Sequence, residues 1–309
     1  MPNVLVIKHG ALGDFILATP AMQAIRVHHT NDHITLLTTL AFADMARKTG
    51  WFNEVMIDER PKLWQPFGIL KLAEKLRSGN FTRVYDLQTS ERSGRYFHLF
   101  PVVKKPEWVG IVKCGSHYQS NPGRIKMHTI ERQRDQLKIA GIEYQGLLDV
   151  SWLSADISRF ALPDKYAIIV AGCSAHRPQK RWTKSGIAEL ARFLLSRKIT
   201  PVFVGTKSEE FLLDEIAAEV PGGINLVNKT TIAELAELGR GAVIVAGGDT
   251  GPMHLIAATG CPALVWFSGY SDPQLAAPRG GKVKIMQREN LADLGSEEVI
   301  ELAKTMINQ

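Results

Sequence analysis

Cysteine is scarce in this chain. Three residues in 309, Cys114, Cys173 and Cys261, are odd in number and far apart. That excludes a disulfide framework and a cysteine metal site, and reads as reduced thiols. Long apolar runs are also missing: none approaches the ~18–20 residues of a membrane span. The opening MPNVLVIKHG has no basic segment, long apolar stretch or small-residue cleavage site, so a cytoplasmic protein is expected. No D-x-D pair occurs, which removes a common way of holding a divalent ion. His28, His29 and His33 cluster, but Asn31-Asp32 between them suggests a turn, and no metal site is expected. Low-complexity tracts and short repeats are absent as well.

Charge is present but uneven. Residues 1–155 hold 20 lysines and arginines against 14 acids, whereas residues 156–309 hold 17 of each. The whole excess of +6 therefore lies in the first half. Between Arg92 and Lys126 there are seven bases and one acid, Glu107. Such a run is either a solvated surface or the footprint of an anionic partner.

Short apolar runs alternate with helical patterns. NVLVIKH, HITLLTT, EVMID and TRVYDLQ read as strands of a first unit. A helix is expected from Asp14 to His29, kinked at Pro20 or restarted behind Thr19 as its cap, and another within LWQPFGILKLAEKLRSG. The pattern restarts with the strand KYAIIVAG after Leu162-Pro163-Asp164, and strands and helices alternate to the end. This spacing implies parallel sheets covered on both faces. Two Rossmann-like α/β domains are expected, 1–155 and 156–309. The last helix, from Ser296 to Ile307 behind a Ser296 cap, is expected to cross back onto the first domain. In such sheets ligands bind beyond the carboxyl ends of the strands, so the strand-end loops carry the functional question.

The first of these loops, within IKHGALGDFILATPA, lacks the G-x-G-x-x-G spacing of a dinucleotide fingerprint. It places Asp14 at a helix start, where a carboxylate would compete with phosphate for the same N–H groups. Asp14 is then either a helix cap or a base. Gly10 and Gly13 let another molecule approach closely, and an ionised Asp14 could take a proton from a hydroxyl. In AVIVAGGDTGPMHLIAATG a strand runs into Gly247, Gly248, Asp249, Thr250 and Gly251, then Pro252. With Gly251 as cap, the N–H groups of Met253 and His254 are expected to stay free for an oxyanion, aided by Thr250 and His254. AGCSAHRPQKRWTKSG offers Ser174 at a strand end and Lys180 six residues on, which could clasp a phosphate from two sides.

At these places the sequence resembles family-9 glycosyltransferases, the ADP-heptose:lipopolysaccharide heptosyltransferases. The matching pieces are HGALGDFILATPA, KRW at 180–182 and GGDTGPMHLIAATGCP, with weaker echoes in DLQTSERSGR at 86–95 and HTIERQRDQLKIAG at 128–141. The resemblance implies a GT-B fold, two doubly wound domains facing a central cleft. The first would bind the acceptor and the second the nucleotide sugar, a substrate and not a cofactor. It implies metal-independent transfer with inversion, most simply of heptose from ADP-heptose to an anionic, lipid-linked saccharide of the lipopolysaccharide core. Asp14 falls on the family's catalytic base. Lys180 falls on its phosphate-binding lysine, and Asp249, Thr250, Gly251 and His254 on its donor loop. Ala175 and His176 stand where the family often has threonines, beside Ser174. Acceptor contacts are expected from Gly10, Gly13, Arg60, Lys62, Arg92, Arg95 and Arg124, since arginine matches carboxylate and phosphate oxygens bidentately. The segment 59–77 mixes bases with Trp64, Phe67, Ile69 and Leu70, a composition suited to the headgroup region of the inner membrane's cytoplasmic face or to a helix packed on the sheet.

Two other functions fit the same residues. A nucleotide-sugar epimerase of this fold would need further acid and base groups and no acceptor. An RNA-binding protein would use the bases of 92–126, but only Tyr96, Phe97, Trp108 and Tyr118 accompany them and no RNA-binding motif is present, so no nucleic-acid partner is expected.

Overall fold

A computed structural model describes residues 1–172 and 178–308. The chain divides into two compact units, Met1–Leu147 and Leu148–Gln309. The first unit thus ends at residue 147 and not at 155, because the intervening segment packs on the second. Val150 and Leu153 are buried, and Arg240 donates to the Val150 carbonyl at 2.7 Å.

In the first unit β1 (Asn3–Ile7), β2 (His33–Thr38), β3 (Glu54–Ile57), β4 (Arg83–Asp86), β5 (Glu107–Gly110) and β6 (His117–Tyr118) form one sheet in the order β3-β2-β1-β4-β5-β6. Every ladder is parallel. Val4, Leu5, Val6 and Ile7 are all fully buried, as a central strand covered on both faces requires. The helices are α1 (Leu12–Ile16), α2 (Thr19–His28), α3 (Leu40–Lys48), α4 (Pro66–Ser78), α5 (Glu91–Tyr96) and α6 (Thr129–Ile139). The expected helix from Asp14 to His29 is in fact two. Pro20 cannot supply an N–H to a continuous ladder, so the chain breaks after Ile16 and restarts with Pro20 in the first turn of α2. Ala18, not Thr19, is the cap residue, and the Thr19 hydroxyl donates instead to the Ile16 carbonyl at 2.7 Å. Helix α4 buries Leu72, Ala73 and Leu76 against the sheet. Both ring nitrogens of His29 are engaged, with Asp32 at 2.7 Å and the Tyr85 hydroxyl at 2.8 Å. Among the described residues no three metal-ligating side chains converge.

The second unit repeats the winding. Its strands β7 (Tyr166–Val170), β8 (Thr200–Phe203), β9 (Ile224–Asn225), β10 (Val245–Gly248), β11 (Ala263–Phe267) and β12 (Val283–Gln287) run in the order β12-β11-β10-β7-β8-β9, all parallel. Helices α7 (Lys184–Ser196), α8 (Glu210–Glu219), α9 (Ile232–Gly241), α10 (Gly251–Ala258), α11 (Pro273–Ala276) and α12 (Ser296–Ile307) accompany them. The last helix takes its core partners from the second unit. Val299, Ala303 and Met306 of α12 are buried in the second unit's core with Leu190 and Leu194 of α7. Its cap residue is Gly295, one before the expected Ser296.

Candidate active site

Each sheet reverses its winding between two central strands, β1 and β4 in the first unit and β7 and β10 in the second. Loops leaving the carboxyl ends of such a pair diverge and leave room for a ligand. All the loops singled out from the sequence leave one of these pairs.

In the first unit Ile7 and Asp86 are register partners, so Lys8 and the 87–90 turn emerge side by side. Asp14 is the third residue of α1 and is exposed. It is not the cap: Ala11 holds that position and no side chain caps the helix. The carboxylate is therefore not consumed by its own helix terminus. Gly10 has φ +112°, and a Cβ there would run into the Phe42 ring, which stacks on Phe15 at 5.4 Å. Glycine is thus required for the chain to turn from β1 into α1.

Beneath this loop lies a polar cluster that sequence reasoning missed. Lys8 is buried, its Nζ 3.5 Å from the Leu87 carbonyl. Burial pushes its ammonium down, opposed by the charges of Asp14 and Asp86. Asp86 is fully buried and accepts the N–H groups of Gln88 and Thr89 at 3.1 and 3.0 Å. Burial outweighs these bonds and lifts its carboxyl to about 6. The amide of Gln136 donates to the Asp86 carbonyl at 2.9 Å. Beside them Asp58 Oδ2 lies 2.9 Å from His9 Nε2 and accepts from the Tyr96 hydroxyl at 2.6 Å. Burial pushes Asp58 up, but His9, Tyr96 and the Arg60 N–H together keep it below the usual carboxylate range. The signal was visible in part, since Asp86 ends β4 as Ile7 ends β1, within the DLQTSERSGR stretch.

The expected acceptor residues separate into two groups. Arg92 donates to the Pro61 carbonyl at 2.9 Å, Arg95 pairs with Glu91, and Lys62 lies over the Trp64 ring at 4.9 Å. Arg60 precedes this segment, with its own N–H on Asp58 at 2.7 Å. Arg124 stands apart. It is half-buried and donates to Gln119 and Thr89, both at 2.7 Å, so it braces the turn after β4.

In the second unit Val170 and Gly247 are register partners. Ser174, with Ala175 and His176, lies outside the described residues. Lys180 is buried, and its Nζ is 2.6 Å from Asp249 Oδ2. His254 Nε2 is 3.8 Å from the other oxygen of Asp249. Burial pushes Asp249 up, yet His254 and Lys180 hold it down to about 2. A Cβ on Gly248 would lie 3.2 Å from the Lys180 carbonyl, so glycine lets the two loops close on each other. One expectation is revised. The cap of α10 is Thr250 and not Gly251, and the Met253 N–H already donates to the Thr250 carbonyl at 3.1 Å. The Thr250 hydroxyl caps no helix N–H; it lies 3.4 Å from the Gly248 carbonyl.

A family model described as glycosyltransferase family 9 (heptosyltransferase) matches residues 69–303. The chain belongs to this family of enzymes. The chain is 29% identical over 115 residues to lipooligosaccharide heptosyltransferase 2 of Haemophilus influenzae, a match spanning 36% of this chain and about a third (33%) of that relative's length. In fold it is similar to the family-9 glycosyl transferase of Veillonella parvula, with TM-score 0.85, 18% identity, and 99% and 97% of the two chains covered. The E. coli ADP-heptose LPS heptosyltransferase II is similar at TM-score 0.80 and 18% identity, over 100% and 99% of the chains. Both belong to the two-domain GT-B architecture expected for this family-9 chain.

Proposed function

We propose that this family-9 chain transfers a heptose from ADP-heptose, with inversion and without a metal ion, to an anionic lipopolysaccharide-core acceptor. The observation that carries the reading is the exposed Asp14 carboxylate, uncapped at the winding reversal of the first sheet. The similarity to an ADP-heptose-using structure supports the donor, and the family supports the sugar.

In this reading the second unit binds ADP-heptose and the first the acceptor. Asp14 takes the proton of an acceptor hydroxyl as that oxygen attacks the anomeric carbon. The bond from that carbon to the diphosphate breaks, and the electron pair leaves with ADP. Attack opposite the leaving group inverts the centre. Lys180 and His254, with Ser174, Gly248, Thr250 and Gly251, stabilise the charge growing on the diphosphate. Asp249 is too firmly ionised to approach phosphate closely, and its part is to hold Lys180 and His254 in place. Gly10 and Gly13 admit the acceptor, and Arg60, Lys62, Arg92, Arg95 and Arg124 complement its negative charge. The exposed Trp64, Phe67 and Leu70 support a peripheral contact with a membrane surface. No helix among the described residues is long and apolar enough to cross a membrane.

The test is Asp14→Asn assayed for ADP release with and without acceptor. Turnover is expected to fall by roughly 10²–10⁴-fold with donor affinity nearly unchanged, and wild-type turnover to survive chelation of divalent ions. Collapse of donor affinity in Asp14→Asn would remove Asp14 from the acceptor side. An absolute Mg²⁺ or Mn²⁺ requirement would remove the metal-independent mechanism.

A further inference from the structure

A cavity of about 290 Å³ lies in the first unit between the 61–63 segment, α4 and α5. Its walls are apolar: Pro61, Leu63, Ile69, Leu72 and Leu99, with the ring of Tyr96. Its charged lining is Glu91, Arg92 and Arg95, one net positive charge. The Glu91–Arg95 pair is solvent-exposed, whereas Arg92 donates to the Pro61 carbonyl at 2.9 Å and so ties one wall to the other. Large apolar side chains stand open to solvent on the same segment, with Leu63 68%, Trp64 74%, Phe67 85% and Leu70 62% exposed. One wall residue, Tyr96, is linked to the Asp14 loop through hydrogen-bonded neighbours. Tyr96 donates to Asp58 at 2.6 Å, Asp58 lies 2.9 Å from His9, and His9 precedes Gly10 in the loop that leads to Asp14.

An apolar slot of this size with cationic groups at one side matches an alkyl chain that ends in an anionic head. A sugar would find too few polar partners on these walls, and a free phosphate would leave them empty. We propose that this cavity holds one acyl chain of the acceptor lipid, with the anionic head against Arg92 and Arg95, and so registers the acceptor's saccharide beside the Asp14 loop. The proposal rests on the acceptor side of the function above. It adds that the enzyme reads the lipid as well as the sugar.

The test separates the two ideas, because its readout is binding without donor or turnover. Isothermal titration of the full chain is made with decyl phosphate, octyl phosphate, decanol and inorganic phosphate, all below micelle formation. Decyl phosphate is expected to bind, and octyl phosphate to bind about tenfold more weakly for its two missing methylenes. Decanol should be weaker than decyl phosphate, and inorganic phosphate silent at the same concentrations. Ile69→Trp fills the slot and Leu63→Asp charges its exposed wall. Either is expected to abolish decyl phosphate binding with the melting temperature retained, and two sites guard against one variant failing to fold. Arg95→Gln, which leaves the Arg92–Pro61 bond across the slot in place, should weaken decyl phosphate but not decanol. In competition, an acylated lipid A-type disaccharide phosphate should displace decyl phosphate and its deacylated counterpart should not. Equal displacement by both, displacement only by anionic phospholipid vesicles, or binding independent of chain length would overturn the proposal. Loss of heptosyl transfer with these binding results intact would instead count against the proposed reaction.

Discussion

At the scale of the residue, two carboxylates, a fully buried Asp86 and a half-buried Asp249, carry opposite electrostatic settings. Asp249 sits beside Lys180 and His254, which hold its carboxyl down to about 2. Removing its lysine should therefore act twice. Lys180→Ala should weaken ADP more than adenosine, because only ADP presents the phosphates, and should also cost stability on the order of 1–3 kcal/mol by stranding a half-buried carboxylate. Adding Asp249→Asn to that variant should restore most of the melting temperature and none of the ADP affinity. Restoration of both, or of neither, would show that the pair is not the unit described. Asp86 is not bonded to a cation in this way, because the nearby Lys8 ammonium is turned to the Leu87 carbonyl. Its carboxyl is raised from 3.8 to about 6 by burial. Below about pH 4 folded and unfolded states both hold the proton, and stability from this group is fully present. Between pH 4 and 6 the unfolded chain ionises while the folded one resists, so stability is lost as pH rises through 6. Two pKa units correspond to roughly 3 kcal/mol. Asp86→Asn can still accept the Gln88 and Thr89 N–H groups and should remove this slope, measured by urea unfolding at pH 4, 5, 6 and 7. Parallel curves for the two proteins would contradict the assignment.

At the scale of the element, the β1–α1 turn depends on Gly10, since φ +112° and the Phe42 ring together exclude a side chain. Gly10→Ala should cost on the order of 2–5 kcal/mol and depress turnover by moving Asp14, with ADP affinity intact. Gly50→Ala is the control, because its φ is +69° with open space around it, and it should cost only about 1–2 kcal/mol and no activity. Similar effects of the two would mean that the Phe42 contact is unimportant. The turn's importance was legible in the sequence, as were the buried central strands, because runs such as VLVI and AIIV can only be core. Strands at or next to the sheet edges were less legible. β5 and β6 have four and two residues, and β12 has no buried position, so none carries an apolar run long enough to stand out. The direction of α12 could not be read either: an apolar face at period 3.6 says that the helix packs, not on which unit. The cluster of Lys8, His9, Asp58, Asp86 and Tyr96 joins positions spread from residue 8 to residue 96, and the adjoining His9–Gln88 bond spans 79 residues, so no local pattern encodes such partners.

At the scale of the whole molecule, the formal excess of +6 belongs to the first 155 residues. The structure gives that charge neighbours of a particular kind. Lys62 covers one face of Trp64, Lys71 is paired with Glu59 at 3.0 Å, and Trp64 and Phe67 remain 74% and 85% exposed while the opposite side of α4 is buried. The packed-helix reading of 59–77 therefore holds, through Leu72, Ala73 and Leu76, and the exposed outer side is what the proposed membrane contact rests on. Aromatic side chains left in water gain by entering that interface, and nearby cations gain about 1 kcal/mol each beside anionic headgroups. The wild-type chain should thus sediment with vesicles containing anionic phospholipid, less so with neutral ones, and less as salt rises over the screening range. Trp64→Ser with Phe67→Ser removes two large apolar anchors that contribute little to the packed core. It should weaken vesicle binding roughly a hundredfold and leave the melting temperature unchanged. Binding that resists both salt and the double substitution would place the membrane contact elsewhere on the molecule, and a fall in melting temperature would show that these side chains support the fold itself.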